Sequence, residues 1–113
     1  MDKRQERMAR NEAFFREVNE RIEQANERFS EDLDPDDSTL NFTCECSEPS
    51  CTGQLELTRA QYEAVRANPK RFVVLPGHED TRVATVVQQH EGFTVVEKIE
   101  DAAEVAIELD PRS

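Results

Sequence analysis

The sequence predicts an α+β fold, in which a long amphipathic N-terminal helix precedes a small, mainly antiparallel sheet domain with one short helix. Three observations predict it. Residues 2–30 contain neither Gly nor Pro, short apolar runs alternate with turn residues from position 39 onward, and all three cysteines fall within one short loop. These patterns divide the chain into a helical arm at 1–30, an acidic linker at 31–38, a folded domain at 39–100 and a C-terminal tail at 101–113.

The N-terminal helix carries an apolar residue at heptad spacing, and from Phe15 onward these residues form an a/d seam. The seam consists of Phe15, Val18, Ile22, Ala25 and Phe29. A helix of about 30 residues is about 45 Å long, which exceeds the width expected of the remaining domain. The seam therefore predicts either packing on the protein's own domain or pairing with another helix. We expect a protein partner or a homodimer through Phe15, Val18, Ile22 and Phe29.

The domain is predicted from alternation and turn signals. Asp34-Pro35 ends the helix within the acidic linker, and Thr58 with Gln61 forms a capping-box pattern at the start of the short helix. Phe72–Leu75 is a continuous apolar run typical of a central strand. Val83, Thr85 and Val87 are expected on one face of their strand. The remaining predicted elements are strands at 39–43, 54–57, 82–89 and 93–99 and the helix at 59–67, with a hairpin turn at Glu91-Gly92.

The C-terminal residues give two conflicting patterns. Val105, Ile107 and Leu109 alternate as an edge strand would, whereas Asp101-Ala-Ala-Glu is typical of a helical start. Residues 101–113 are therefore expected to form a frayed tail.

The cysteine loop carries the strongest chemical signal. Cys44, Cys46 and Cys51 have the spacing C-x-C-x4-C, and His78 follows the turn Pro76-Gly77. Zinc favours tetrahedral sulfur and nitrogen ligands, and Cys3His is a common structural set. We therefore predict a structural zinc ion, Zn2+, bound by Cys44, Cys46, Cys51 and His78. His90 or a water is the alternative fourth ligand, and the ligand types alone do not separate zinc from another metal.

A non-enzymatic, zinc-stabilised interaction or regulatory module is the predicted function. The first alternative is a cytosolic thiol sensor whose oxidation releases the metal, although Glu45 and Glu48 disfavour an activated thiolate. The second is a metal-dependent hydrolase, for which Glu79 and Asp80 lie beside His78. No metalloprotease, deaminase, nucleophile-elbow or phosphate-loop motif occurs in the sequence.

The charge distribution bears on the partners. The formal net charge of −11 falls entirely on residues 31–113, since residues 1–30 carry seven basic and seven acidic side chains. Phosphate attraction supplies much of nucleic-acid affinity, so no nucleic-acid partner is expected. No apolar run approaches the roughly 20 residues that span a bilayer, and no signal peptide is apparent. The clustered thiols and these absences predict a cytoplasmic protein without a membrane partner.

Several motifs of this chain resemble a family of short, uncharacterised bacterial proteins. The family pattern comprises a CxCx4C knuckle, an LTxxEYxxVR helix, a PGHE turn and a closing VVEK strand. Here the matching stretches are 42–51, 57–66, 71–79 and 95–98, and the likeness extends over roughly 8–98. Gln61 stands where the pattern has an acidic residue. The resemblance implies that the knuckle and the PGH turn form one unit, which favours His78 as the fourth ligand. It implies no activity.

Overall fold

The computed structural model describes residues 3–29 and 39–112, with side chains of the helix only as far as Ala25. The α+β fold is confirmed. The linker predicted at 31–38 lies outside the described residues. The elements in chain order are α1 (Lys3–Phe29), β1 (Thr39–Thr43), β2 (Gln54–Thr58), α2 (Arg59–Arg66), β3 (Arg71–Val74), β4 (Ala84–His90), β5 (Phe93–Lys98) and α3 (Glu100–Glu108).

Helix α1 lies against its own domain, where it contacts α3 and β1. Its buried face is offset from the predicted seam. Phe15, Val18 and Ile22 are half-buried, with Ile22 packed on the core, while the side chain of Phe29 is outside the described part of the helix. The fully buried positions follow a helical period of three and four residues. They are Ala9, Glu12, Ala13, Arg16, Asn19, Glu20 and Glu23.

Two antiparallel sheets follow α1, and the strand order of the second sheet differs from the prediction. Strands β1 and β2 pair as a hairpin around the cysteine loop, and the other three strands have the order β3-β5-β4. The prediction of a central strand at Phe72–Leu75 is therefore wrong, because β5 is central and β3 lies at an edge. That edge is buried because the cysteine loop covers it. The apolar run at Phe72–Leu75 is therefore explained by burial of both faces of β3, and it does not indicate a strand with a neighbour on each side.

Thr85 and Val87, which were predicted to share a face of their strand, both lie on the exposed side of β4. Thr85 is exposed and Val87 is 36% exposed, whereas Ala84 is buried and Val86 packs against the core. Val83 is buried but precedes the strand. The register of β4 against β5 shifts between Val86 and Gln88, and this irregularity changes which side chains face the core.

The C-terminal segment is a helix where a frayed tail was predicted. Helix α3 buries Ala102 and Ala106, which are four residues apart and therefore lie on one face. The alternation of Val105, Ile107 and Leu109 is overridden because the two small alanines allow α3 to pack closely against α1. The described residues thus form two short helices besides α1. The other one, α2, has the predicted capping box at Thr58 and Gln61.

The core consists of two apolar clusters on opposite faces of β3 and β5. The first joins those strands to the hairpin β1–β2 and to α2, and the second joins them to the cysteines and α3. The first cluster contains Phe42, Leu55, Leu57, Tyr62, Val65, Val73, Phe93 and Val95. The second contains Cys44, Cys46, Phe72, Val74, Ala84, Val96 and Ala106.

Candidate metal centre

The segment from Cys44 to Cys46 runs along the open edge of β3 and satisfies its backbone. The N–H of Glu45 donates to the carbonyl of Val73 at 2.8 Å, and the N–H of Leu75 donates to the Sγ of Cys44 at 3.2 Å. The N–H of Cys44 donates to Gly53 O at 3.0 Å, which closes the loop. Because alternate side chains of an extended segment lie on opposite sides, the two thiols share one side and Glu45 lies on the other.

A tight turn brings the third cysteine back to the first two. The N–H of Cys51 donates to the carbonyl of Glu48 at 3.1 Å, and the Glu48 carboxylate accepts from the backbone and hydroxyl of Ser50. Gly53 then approaches β3 closely. A Cβ atom at Gly53 would lie 2.3 Å from Cδ1 of Leu75, so only glycine fits without displacing that side chain.

A second turn, directly after β3, supplies the histidine. The N–H of His78 donates to the carbonyl of Leu75 at 2.9 Å, which closes a four-residue turn with Pro76 and Gly77 at its centre. Gly77 has a φ of +90°, as the third residue of a type II turn requires. The Glu79 carboxylate accepts from the N–H of Gly77 at 2.9 Å and braces the turn.

The loop and the turn bring four donor atoms together. The three thiols and the imidazole of His78 lie within 4.8 Å of one another. Nδ1 of His78 is 3.7 Å from the Sγ of Cys44 and also 3.7 Å from the Sγ of Cys51. A zinc tetrahedron with Zn–S of about 2.3 Å and Zn–N of about 2.0–2.1 Å separates sulfur from nitrogen by about 3.6 Å. The donor set therefore fits a tetrahedral metal ion.

The electrostatics of the thiols also suit a metal. Burial raises the pKa of Cys44 and of Cys46, so both favour the neutral thiol in the absence of a cation. Backbone N–H groups oppose this shift, with Leu75 donating to Cys44 and Glu48 donating to Cys46. A divalent cation supplies the remaining stabilisation that deprotonation needs.

The other histidine belongs to a different part of the molecule. His90 stacks on Phe93 with ring centroids 4.5 Å apart, and its Nε2 lies 3.1 Å from Gln88 Oε1. It is outside the group of four donors. Within the described residues, the geometry therefore favours His78 over His90 as a ligand.

Sequence reasoning missed Glu45 and Asn19 as residues that contact each other on the side of the cysteine loop opposite the thiols. Glu45 is completely buried, and Asn19 of α1 is buried beside it. The one sequence signal for Glu45 was its place between two ligands, since alternation directs it away from the metal and into the core. Asn19 lay beside the predicted seam and gave no sign of a contact with the cysteine loop.

No protein-family model, curated protein or solved structure matches this chain. Among the described residues, no helix combines the length and the apolar character that crossing a membrane requires.

Proposed function

We propose that Cys44, Cys46, Cys51 and His78 bind one structural zinc ion, and that the protein is a non-enzymatic interaction or regulatory module. The observation that carries the proposal is the convergence of four sulfur and nitrogen donors within 4.8 Å. Four protein ligands complete a tetrahedron, which is typical of structural sites, whereas catalytic zinc keeps a position open for water or substrate. The metal would link the hairpin loop to the turn after β3 and add to the hydrogen bonds that already join the loop to β3.

The interaction part of the proposal is supported by the exposed surface of α1. Phe14 is 58% exposed, and its ring lies 5.9 Å from that of the half-buried Phe15. A protein partner or a second copy that covers this part of the helix would bury aromatic surface. The net charge of −11 disfavours nucleic acid as the partner. Cysteines that stay reduced, as zinc binding requires, suit the cytoplasm. We also keep membership of the family of short bacterial proteins as a proposal.

The zinc proposal is tested by elemental analysis and native mass spectrometry of protein purified under reducing conditions. One zinc per chain is expected. His78→Ala should weaken zinc binding by at least about tenfold, whereas the matched variant His90→Ala should leave it unchanged. A protein that is metal-free and takes up no added zinc would overturn the proposal. Equal effects of the two histidine variants would remove His78 from the ligand set.

A thiol sensor is the second candidate, favoured by the partial exposure of Cys51 and the exposure of His78. These groups give an oxidant access to the ligands, although the raised pKa of Cys44 and Cys46 disfavours reactive thiolates. Mild peroxide should release zinc rapidly and reversibly from a sensor, and should leave a purely structural site loaded. A metal-dependent hydrolase, the remaining alternative, requires an exchangeable water on the ion.

A further inference from the structure

Glu45 connects the metal loop to the rest of the protein. Its side chain is completely buried and points away from the thiols on either side. Oε2 accepts from Nδ2 of Asn19 at 2.8 Å and from the hydroxyl of Tyr62 at 3.2 Å, while Oε1 accepts from the N–H of Val73 at 3.0 Å. The residue between two metal ligands is therefore held by α1, α2 and β3 together.

Asn19 of α1 recognises the backbone that leads into the first ligand. Its Oδ1 accepts from the N–H of Thr43 at 2.8 Å, and its Nδ2 donates to the carbonyl of Thr43 at 2.9 Å. Two turns earlier on the same helix, Nδ2 of Asn11 donates to the carbonyl of Cys46 at 3.3 Å. Helix α1 thus contacts both ends of the segment 43–46, which carries two of the four ligands.

The contact surface of α1 is mostly polar. Among the buried side chains described for α1, up to Ala25, only Ala9 and Ala13 are apolar, and the half-buried Ile22 adds a contact to the first cluster. The buried polar side chains need their partners in place, because an unpaired buried donor or acceptor is strongly unfavourable. Asn19 finds its partners in the segment 43–46, whereas the other buried polar side chains of α1 pair with groups elsewhere in the domain. The conformation of 43–46 therefore contributes to the docking of α1 through Asn19 and Asn11.

We propose that metal binding controls the docking of α1. With the ion bound, the segment 43–46 has the shape that Asn19 and Asn11 recognise, and α1 stays in place. Without the ion, the segment loosens and α1 is released. Release removes Arg16, whose guanidinium lies 4.4 Å from the centre of the Phe72 ring, and thereby exposes one face of that ring. This regulation rests on the proposed metal site, with Asn19 and Glu45 as positioning residues.

Linkage makes the proposal testable from the helix side. If metal binding favours docking by a given factor, docking favours metal binding by the same factor, so a variant that releases α1 must bind the metal more weakly. Asn19→Leu keeps the size of the side chain and removes its hydrogen bonds, so we expect zinc affinity to fall about tenfold to 100-fold. Asn11→Ala removes a single longer contact and should lower it a few-fold. Gln24→Leu, on the exposed face of the same helix, should have no effect.

The decisive measurement is hydrogen exchange of the full chain, loaded with zinc and after chelation under reducing conditions. Amides of residues 9–25 should exchange at least about tenfold faster without zinc, while β3 and β5 keep their protection. Unchanged protection of α1 in a protein that binds zinc overturns the regulation and leaves the metal site intact. Loss of protection in all elements at once overturns it too, because release would not be selective. Absence of zinc binding overturns the proposed function itself.

Discussion

Strands β3 and β5 are buried on both faces, and the two faces are covered by different chemistry. On one face, Val73 and Val95 pack against an apolar layer that includes the stacked rings of Phe42 and Tyr62, whose centroids are 4.4 Å apart. The opposite face meets cysteines, small alanines and charged side chains. Its members are Phe72, Val74, Val96, Cys44, Cys46, Ala84 and Ala106, with Arg16 and Lys98 over the Phe72 ring.

The comparison separates two ways of stabilising a small domain. The apolar side gains from burying area, which is non-directional and tolerates small displacements. The charged side depends on groups that must be paired, since a buried charge without a partner is strongly destabilising. Arg16 illustrates the requirement, because its guanidinium donates to the carbonyls of Pro69 and Ala106 at 2.6 Å each. The proposed zinc ion belongs to this second, directional side.

The largest expected effect comes from removing a buried ion pair between α1 and α2. Arg66 is completely buried and pairs with Glu20 at 2.6 Å and with Asp110. Arg66→Met should destabilise the protein by about 4 kcal/mol, because two buried carboxylates lose a partner. Urea denaturation of the zinc-loaded protein measures the change. Arg21→Met, which removes only an exposed pair with Glu17, is the control and should change stability by less than about 1 kcal/mol. A loss as small as the control's would contradict the importance of the buried pair.

The second prediction concerns the apolar side, where Leu57→Ala removes most of a buried side chain. Leu57 is completely buried in β2, away from the metal ligands. Its truncation should cost about 3 kcal/mol through lost burial and the cavity that remains. Zinc stoichiometry should stay at one per chain, because the four ligands belong to the other side. The same denaturation series, combined with elemental analysis, tests both statements. Loss of zinc along with stability would show that the two sides are not separable.

A smaller effect is expected where the loop and β3 meet. Gly53→Ala places a methyl group against Leu75 and 3.5 Å from the thiol of Cys51. We expect a loss of about 2 kcal/mol from overpacking and a measurably weaker zinc affinity. Gly92→Ala is the control, since its φ of +92° is strained for alanine but no atom lies within 4 Å of the added Cβ. It should lower stability by about 1 kcal/mol and leave zinc binding unchanged. Equal zinc affinities for the two variants would argue against close packing at Gly53.

Local signals in the sequence were sufficient for much of the fold and for the grouping of the three cysteines. The capping box at Thr58 and Gln61 and the turn at Pro76-Gly77 are short-range patterns whose geometry depends on adjacent residues. The three cysteines could be assigned to one site because a single loop contains them. The position of His78 beside them follows from how the loop covers β3, which no local pattern determines.

The docking of α1 was beyond sequence reasoning for a different reason. Hydrophobic periodicity selects Phe15, Val18 and Ile22, whereas the side chains buried most deeply include Arg16, Asn19 and the glutamates near them. A polar face is normally assigned to solvent. Its burial here depends on partners from distant segments, such as the carbonyls at 43, 69 and 106. The same nonlocal contact determines α3, whose small alanines fit against α1.

The smallest expected effect is a pH dependence of the protein's stability that arises from Glu23. Burial and the nearby Glu63 and Glu20 carboxylates raise the pKa of Glu23 to about 7, against the opposing effect of Arg112 at 3.6 Å. Because the folded pKa exceeds the unfolded value of 4.5, this stabilising contribution is complete below about pH 4.5 and is lost as the pH rises to about 7. Glu23→Gln removes the titration.

The stability of Glu23→Gln relative to wild type should therefore increase between pH 5 and pH 7 and stay constant above. We expect about 1 kcal/mol, well below the full shift at about 1.4 kcal/mol per pKa unit, because Arg112 is one-third exposed and water screens the site. Paired urea denaturation at each pH cancels any effect of pH on the metal, which both proteins share. Glu17→Gln, the same substitution at an exposed position of the same helix, is the matched control. A flat difference for Glu23→Gln would contradict the raised pKa of this carboxylate.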